Sequence, residues 1–295
     1  MTLNLITKRK VTDIKDCAFY HTTDLPEHGE IKGKWDLRNG TGKYLGNLNF
    51  KGKKILEFGP ASGFLSFYME KEGASVLSYD IGDDVEWDVV PFSQYDHTEL
   101  IEPFFEYNNQ MKNAYWFSHD ALQSKNKAYY GNIYNLPNEL GEFDIVTFCS
   151  ILLHLRDPFK ALYEGALHAK EKILITDLAE APTVFSKNEM YDRSFIGRVK
   201  NACRILFNKD IYQFTPTSVP YLQFLPDFTT LAHKDAWWYL SPKLVINMLG
   251  VLGFEETEVQ YHEYELNGRP TPTYSVVGTR TKSPPRDWGH FLKNS

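Results

Sequence analysis

The chain has 295 residues and a mass of 34.2 kDa, with 42% hydrophobic and 24% charged residues. These fractions are close to those of average globular proteins, which excludes a disordered or fibrous chain, and the length favours one large domain over two. A net charge of −6 and a pI near 5.9 exclude a general attraction to nucleic-acid phosphates, but they leave room for a local basic patch.

The sequence lacks the patterns of a membrane span, a secretory signal and a disulfide framework. The longest apolar stretch, Phe143 to Leu155, is interrupted by polar residues and is too short to cross a bilayer. The N-terminus has no apolar h-region, and Cys17, Cys149 and Cys203 are widely spaced and form neither a metal-binding pair nor a disulfide scaffold. We therefore expect a cytoplasmic protein without a membrane partner and without a bound metal.

Residues 1–50 predict an arm that covers the core, because they are polar, glycine-rich and without a sustained period. A strand follows at Lys53 to Phe58, then a glycine turn from Gly59 to Gly63 and a helix from Phe64 to Glu72. The next apolar run, Ala74 to Asp80, predicts a second strand that stops at an acidic residue. Together these segments predict a βαβ unit.

Two aromatic-rich stretches interrupt the alternation of strands and helices, and we predict a partly helical insertion at 83–127 and a second insertion at 181–240. The other predicted core elements are strands at Tyr129 to Ile133, Phe143 to Cys149, Lys172 to Asp177, Glu256 to Tyr264 and Thr273 to Thr279, and helices that begin at Asp157-Pro158 and Ser241-Pro242. This order predicts a doubly wound α/β fold with a mainly parallel sheet and helices on both faces. The core would span 51–282, followed by a tail at 283–295.

The candidate cofactor site lies where the first two predicted strands end. Ligands of doubly wound sheets bind at the carboxyl ends of the strands, where a glycine turn such as Gly59 to Gly63 lets the backbone approach them closely. Asp80 ends the second strand, and its carboxylate can accept hydrogen bonds from both hydroxyls of a ribose. The turn lacks the G-x-G-x-x-G spacing of dinucleotide-binding proteins, which argues against NAD but leaves it open.

The string Glu57-Phe58-Gly59-Pro60-Ala61-Ser62-Gly63 resembles motif I of the class I S-adenosylmethionine-dependent methyltransferases, acidic-x-Gly-x-Gly-x-Gly, with Ala61 in place of the middle glycine. The resemblance covers roughly residues 51–180 and 241–280. It implies a Rossmann-like sheet of seven strands, of which the last is antiparallel, and S-adenosyl-L-methionine as the cofactor.

The resemblance also implies roles for single residues. Glu57 would orient the cofactor through the loop. The residues implied to contact it are Gly59, Pro60, Ala61 and Gly63 at the turn, Asp80 and Ile81 at the ribose, Asn132 and Ile133 at the adenine, and Ser150 at the methionine end. The alternatives are local: Asp80 could cap the next segment, Asn132 could be a turn residue, and Ser150 could start a helix.

His154, just past the fourth strand, is the best-placed candidate for a general base, because a neutral imidazole can accept a proton near pH 7. The alternative is that it packs or hydrogen bonds beneath the next helix. His21 and His119 are second candidates.

Trp35 and Arg38 of the arm are candidates for covering the cofactor and contacting its carboxylate, or equally for pinning the arm to the core. The arm from Phe19 to Arg38 is weakly similar to the opening of the wobble-uridine tRNA carboxymethyltransferase-like group.

Methyl transfer is an in-line displacement, so positioning contributes most and a base is needed only when the acceptor carries a proton. The sequence thus favours S-adenosylmethionine-dependent methyl transfer to a small or medium-sized acceptor. The alternatives are a tRNA-modifying carboxymethyltransferase, an NAD-dependent oxidoreductase, and a protein that binds the cofactor without transfer. The acidic pI argues against a nucleic-acid partner but leaves it open.

Overall fold

The computed structural model describes residues 8–83, 85, 88–94, 96–179, 219–232 and 235–283. The strands in chain order are β1 Thr23–Leu25, β2 Gly29–Ile31, β3 Trp35–Asp36, β4 Lys54–Phe58, β5 Ser75–Ile81, β6 Lys127–Gly131, β7 Phe143–Cys149, β8 Ala169–Leu178, β9 Leu222–Phe224, β10 Trp238–Leu240, β11 Glu256–Leu266 and β12 Arg269–Thr279. The α-helices are α1 Thr41–Tyr44, α2 Phe64–Lys71, α3 His97–Ala121, α4 Pro158–His168 and α5 Pro242–Val251.

The main sheet is mixed, with the strand order β3-β11-β12-β8-β7-β4-β5-β6. The neighbours from β8 to β6 are all parallel, and β12 is antiparallel to both β8 and β11. The antiparallel last strand agrees with what the resemblance implies. The count of seven strands is wrong, because β3 of the arm pairs with β11 and makes an eighth.

The alternation of side chains along the strands shows that helices cover both faces of the sheet. In β4, Ile55 packs with residues of α2 and the arm, whereas Leu56 packs with residues of α4 and α5. In β8, Ile173 packs on the side of α4 and α5, and Leu174 packs on the side of α2 and the arm. Because each central strand is buried on both sides, its sequence reads as a continuous apolar run.

The caps predicted for two helices are present. Asp157 accepts a hydrogen bond from the backbone N–H of Lys160, and Pro158 is the first residue of α4. Ser241 does the same for Leu244 at the start of α5. Both caps satisfy backbone donors that the first helical turn leaves without a partner.

Residues 83–127, predicted as an insertion, contain α3, which connects the neighbouring parallel strands β5 and β6. The helix spans 25 residues and contains Pro103. The second predicted insertion, 181–240, lies outside the described residues up to 218. Its described part includes β9 and β10, which form an antiparallel pair.

The arm lies against the core. Its strands β1 and β2 form a small antiparallel sheet, and Trp35 of β3 is buried against the edge of the main sheet. No helix in the described ranges combines the length and the apolar composition that a membrane span needs. The predicted tail lies outside the described residues, except for Ser283.

Candidate active site

The turn after β4 has the backbone conformation of a glycine-rich loop. Gly59, Ala61 and Gly63 have φ angles of 69°, 49° and 88°. The N–H of Gly63 donates to the carbonyl of Pro60 at 2.8 Å, and α2 begins directly after it. A Cβ on Gly63 would lie 2.8 Å from Cδ2 of Tyr115, so the position requires glycine for space as well as for its φ angle. The φ angle of Ala61 also lies in the left-handed region, as expected for a position where motif I has glycine.

Glu57 lies beneath this turn and is 1% exposed. Ser66 of α2 donates to its carboxylate, and the hydroxyl of Ser78 in β5 lies 3.3 Å from the same oxygen. Burial raises the pKa of Glu57 to about 7, and the two serine contacts act in the opposite direction. The carboxyl group thus ties together the three elements that carry the turn.

Asp80 stands beside the turn at the carboxyl end of β5. The N–H of Gly59 donates to the carbonyl of Tyr79 at 2.9 Å, which fixes the turn against β5. One carboxylate oxygen of Asp80 accepts the N–H of Ile81 at 2.9 Å. Burial raises the pKa of Asp80, whereas the nearby cation of Lys112 lowers it. The predicted pair of glycine turn and acidic strand end is therefore brought together.

The crevice between the turn and Asp80 is closed and has no room even for a water molecule; Pro60, Ala61 and Asp80 line one side of it. Lys112, Tyr115 and Tyr130 line the other. The ammonium of Lys112 is 2.7 Å from Asp83 and lies 4.5 Å from the ring centroid of Tyr130, while Trp116 donates to the hydroxyl of Tyr130. A nucleoside fits here only if the side chains of Lys112 and Tyr130 move outward. Sequence reasoning missed both residues.

Asn132 and Ile133 follow β6 at the same edge of the sheet. The side-chain oxygen of Asn132 accepts the N–H of Tyr134 at 2.8 Å, which is the turn role left open for it. Ile133 is half-buried and packs against the core. The adenine contact implied for these two residues stays a prediction.

Ser150 directly follows β7 with a φ of 52°. Its hydroxyl lies 2.9 Å from the hydroxyl of Tyr44, the last residue of α1. The arm therefore reaches the place where the methionine end of the cofactor is expected. Nothing in the sequence indicated Tyr44 as a site residue.

His154 ends a short 3-10 helix, Leu152–His154, and its Nδ1 contacts the backbone carbonyl of Asp235. A carbonyl can only accept, so this contact places the proton of the neutral ring on Nδ1 and leaves Nε2 able to accept one. Burial lowers the pKa of His154. Neutral imidazole with a free Nε2 is the form that a general base requires.

The segment that contacts His154 is fixed to the loop before α3. Trp237 donates from its backbone to Leu153 at 2.8 Å and from its indole to the carbonyl of Asp88 at 3.0 Å. The carboxylate of Asp88 in turn contacts Tyr134 and Arg156. These contacts hold the segment before β10, the loop before α3 and the residues after β7 together.

The two second candidates, His21 and His119, are less suited to proton transfer. Burial lowers the pKa of His21 to about 3, and its Nδ1 is buried without a partner among the described residues. His119 contacts the carbonyl of Asn126 within a cluster of aromatic rings. Both observations favour packing roles.

The polar groups of Trp35 and Arg38 contact other residues of the arm. Trp35 is buried, and its indole donates to the hydroxyl of Tyr20 at 3.1 Å. The guanidinium of Arg38 pairs with Asp24, Glu30 and Asp36. Since three carboxylates occupy its donors, the structure favours the anchoring alternative for Arg38 over a contact with the cofactor.

The arm nevertheless touches the turn through its backbone. The N–H groups of Tyr20 and His21 point to the hydroxyl of Ser62, at 3.2 and 3.4 Å. Residues 20 and 21 therefore connect the arm to the turn.

Asp177, near the end of β8, was identified from the sequence only as a strand end. It is 3% exposed, and burial raises its pKa to about 7. One carboxylate oxygen accepts the N–H of Leu178 at 2.8 Å, and the other is buried without a partner among the described residues.

No protein-family model matches this sequence, and none of the curated proteins matches it. Among solved structures, magnesium protoporphyrin IX methyltransferase from Synechocystis PCC 6803 with bound S-adenosylhomocysteine is similar at 12% identity and a TM-score of 0.44, over 82% of this chain and 81% of that one. The N-terminal domain of EvdMO1, solved with S-adenosylhomocysteine and D-fucose, gives 15% identity and a TM-score of 0.48 over 90% and 92%. The 1,6-didemethyltoxoflavin-N1-methyltransferase of Burkholderia thailandensis gives 11% and 0.46 over 83% and 78%. Similarities of this size say nothing about what this chain binds, and the fold described above rests on its own strand order.

Proposed function

We propose that the chain is an S-adenosylmethionine-dependent methyltransferase that acts on a small or medium-sized acceptor. The observation that carries the proposal is the pairing of a left-handed glycine-type turn with the carboxylate of Asp80 at the end of the adjacent strand. A turn of this kind brings the backbone close to a ligand, and a carboxylate at this point suits ribose hydroxyls. The chemistry of these residues suits an adenosyl group, and binding requires the side chains of Lys112 and Tyr130 to move out of the crevice.

The cofactor, when bound, supplies a methyl group on a sulfonium sulfur. The neutral thioether that leaves is a good leaving group and needs no activation by the protein. The chain's own task is to align the acceptor with that methyl group. Asp80 would hold the ribose, and Glu57 would keep α2, β4 and β5 in register beneath the turn. Nε2 of His154 is available to take a proton from the acceptor.

Calorimetric titration with S-adenosylhomocysteine tests the proposal. We expect the wild type to bind it, and Asp80→Asn to weaken binding by roughly 10- to 100-fold, since hydrogen bonds to a charged group contribute about 1.5–3 kcal/mol. Glu139→Gln, which changes an exposed carboxylate in the loop before β7, should bind like the wild type.

Three outcomes count against the assignment. Undiminished binding by Asp80→Asn would remove the ribose role of that carboxylate. A rise in melting temperature with NAD or NADP, and none with S-adenosylhomocysteine, would favour the oxidoreductase alternative. Binding of tRNA with a steep salt dependence would instead favour the tRNA-modifying alternative.

A further inference from the structure

The carboxylate of Asp177 has no structural explanation among the described residues. Its first oxygen binds one backbone N–H, and its second is buried with no donor. A buried polar atom without a partner costs free energy, and native proteins keep few of them. A carboxylate that served only the fold would be expected to have a cation or a second donor beside it.

Asp177 lies at the carboxyl edge of the sheet, at the same height as the glycine turn. In the register of β7 and β8, Cys149 pairs with Thr176, so Asp177 is level with Ser150. The pairing of Phe58 with Phe148 puts the start of the glycine turn at the same height. Because β8 is separated from β4 by β7 alone, Asp177 lies about 10 Å from that turn, across two strand spacings.

The surroundings of Asp177 are aromatic and carry no positive charge within the described ranges. Burial is the main cause of its raised pKa, and a single backbone hydrogen bond opposes it. The negative charge of Asp177 contributes to the raised pKa of five nearby groups, which are Tyr20 and Tyr44 of the arm, Cys149 of β7, Tyr239 of β10 and Tyr274 of β12. The free oxygen thus has no donor among the described residues.

We propose that Asp177 is a catalytic residue that binds the reacting group of the acceptor, and that the acceptor carries a hydroxyl or an N–H at that point. This proposal rests on the proposed function. The free carboxylate oxygen accepts the hydrogen bond of the X–H group and orients its lone pair towards the methyl group. As the X–CH₃ bond forms, the S–CH₃ bond breaks and its electron pair stays on sulfur. The proton of X–H passes to Asp177 and later to solvent.

The proposal assigns different roles to Asp177 and His154. Nδ1 of His154 is engaged by Asp235, so its ring is held against the segment before β10. Asp177 lies one strand further from the cofactor turn and has an unused oxygen. His154 is then a second proton acceptor on the acceptor side, and Asp177 is the group that selects an acceptor with a proton.

The test compares Asp177→Asn with the wild type and with Glu171→Gln, which changes an exposed acid at the other end of the same strand. Each protein is first titrated with S-adenosylhomocysteine by calorimetry, and we expect equal affinities. Ligand-observed NMR on the saturated proteins then measures binding of matched probe pairs: phenol with anisole, catechol with its dimethyl ether, and benzylamine with N,N-dimethylbenzylamine. The wild type and Glu171→Gln should prefer the X–H member of at least one pair, and Asp177→Asn should lose that preference.

Transfer of tritium from S-adenosyl-[methyl-³H]methionine to the preferred probe gives a second readout. Because general base catalysis contributes about 10²- to 10⁴-fold, Asp177→Asn should lower kcat by at least 100-fold. The rise of kcat/KM with pH near 7 should disappear with it.

Other results would contradict either the proposed function or the role of Asp177. Failure of the wild type to bind S-adenosylhomocysteine defeats the proposed function itself. If the cofactor product binds, but the wild type prefers no X–H probe or Asp177→Asn keeps the preference, the acceptor role of Asp177 is wrong. If Asp177→Asn weakens S-adenosylmethionine but not S-adenosylhomocysteine, the carboxylate pairs with the sulfonium and the acceptor role is again wrong.

Discussion

Ala61 and Gly63 both have left-handed backbone conformations, yet they should respond in opposite ways to substitution. An L-residue in this conformation costs about 1–2 kcal/mol, a cost that Ala61→Gly removes, while glycine adds about 0.4–1 kcal/mol of unfolded-state entropy. We expect Ala61→Gly to leave the free energy of unfolding unchanged or to raise it by up to about 1.6 kcal/mol. Gly63→Ala should lower it by roughly 1–3 kcal/mol, because the new Cβ meets Phe67 and Tyr115.

Denaturant unfolding of the two variants checks this pair, with calorimetry of S-adenosylhomocysteine as a second measurement. Each variant serves as the control of the other, since both change one methyl group in the same turn. A destabilised Ala61→Gly beside an unaffected Gly63→Ala would show that the turn does not have the conformation described.

The residues that sequence reasoning identified are those whose role follows from position along the chain. Glu57 and Asp80 lie one residue before the end of a strand, and Gly63 lies one residue before a helix, so their types and spacing were informative. Asp177 also lies one residue before the end of a strand, but the sequence cannot show that one of its oxygens lacks a donor. Lys112 lies in the middle of α3, and only tertiary packing places its ammonium beside Asp83 and Tyr130.

At the scale of elements, the contact between the arm and the turn depends on one hydroxyl. Ser62 Oγ accepts the N–H groups of Tyr20 and His21, and Ser62→Ala leaves both without that acceptor. We expect a loss of about 1–3 kcal/mol in the free energy of unfolding, since unpaired buried donors are costly. The exchange of amide hydrogens at residues 19–22 should become faster.

Hydrogen exchange followed by mass spectrometry measures this effect. Ser93→Ala, at an exposed serine of the loop before α3, is the control and should leave exchange in the arm unchanged. Unaltered exchange at residues 19–22 in Ser62→Ala would mean that other contacts, such as Thr22 N–H to the carbonyl of Trp35, hold the arm in place.

Some predicted elements agree with the structure better than others. The difference arises because some sequence patterns are local, whereas other elements depend on residues far apart along the chain. The strand at Phe143 to Cys149 is confirmed with the same bounds, since it is buried on both faces and reads as one apolar run. Strand β3 has two residues, so no period reveals it, and its partner β11 is far along the chain. The long helix α3 was missed as a single element, because Pro103 and the aromatic residues obscured its helical spacing.

At the scale of the whole molecule, two buried carboxyl groups impose a dependence of stability on pH. Burial raises the pKa of Glu57 and of Asp177 to about 7, from ordinary values of 4.5 and 3.8. The folded chain therefore keeps two protons that the unfolded chain releases. Their stabilising contribution is complete below about pH 4 and is lost as the pH rises to about 7.

The double variant Glu57→Gln, Asp177→Asn cannot show this loss, because its amides do not titrate. We expect its free energy of unfolding, minus that of the wild type, to increase between about pH 4 and pH 7 and to level off above. The gain should not exceed about 8 kcal/mol, since the pKa rises by about 2.5 units at Glu57 and about 3.2 units at Asp177 and each unit corresponds to about 1.4 kcal/mol. Urea unfolding at a series of pH values measures the difference, in which groups common to both proteins cancel.

His21→Gln tests the same effect of burial on a cationic group, for which stability changes with pH in the opposite direction. Burial lowers the pKa of His21 from 6.5 to about 3, so the folded wild type gains stability as the pH rises from 3 to 6.5. The free energy of unfolding of His21→Gln, minus that of the wild type, should therefore decrease over that range. If both difference curves sloped the same way, buried charge could not be their cause, since the anionic and cationic groups must respond to pH in opposite directions.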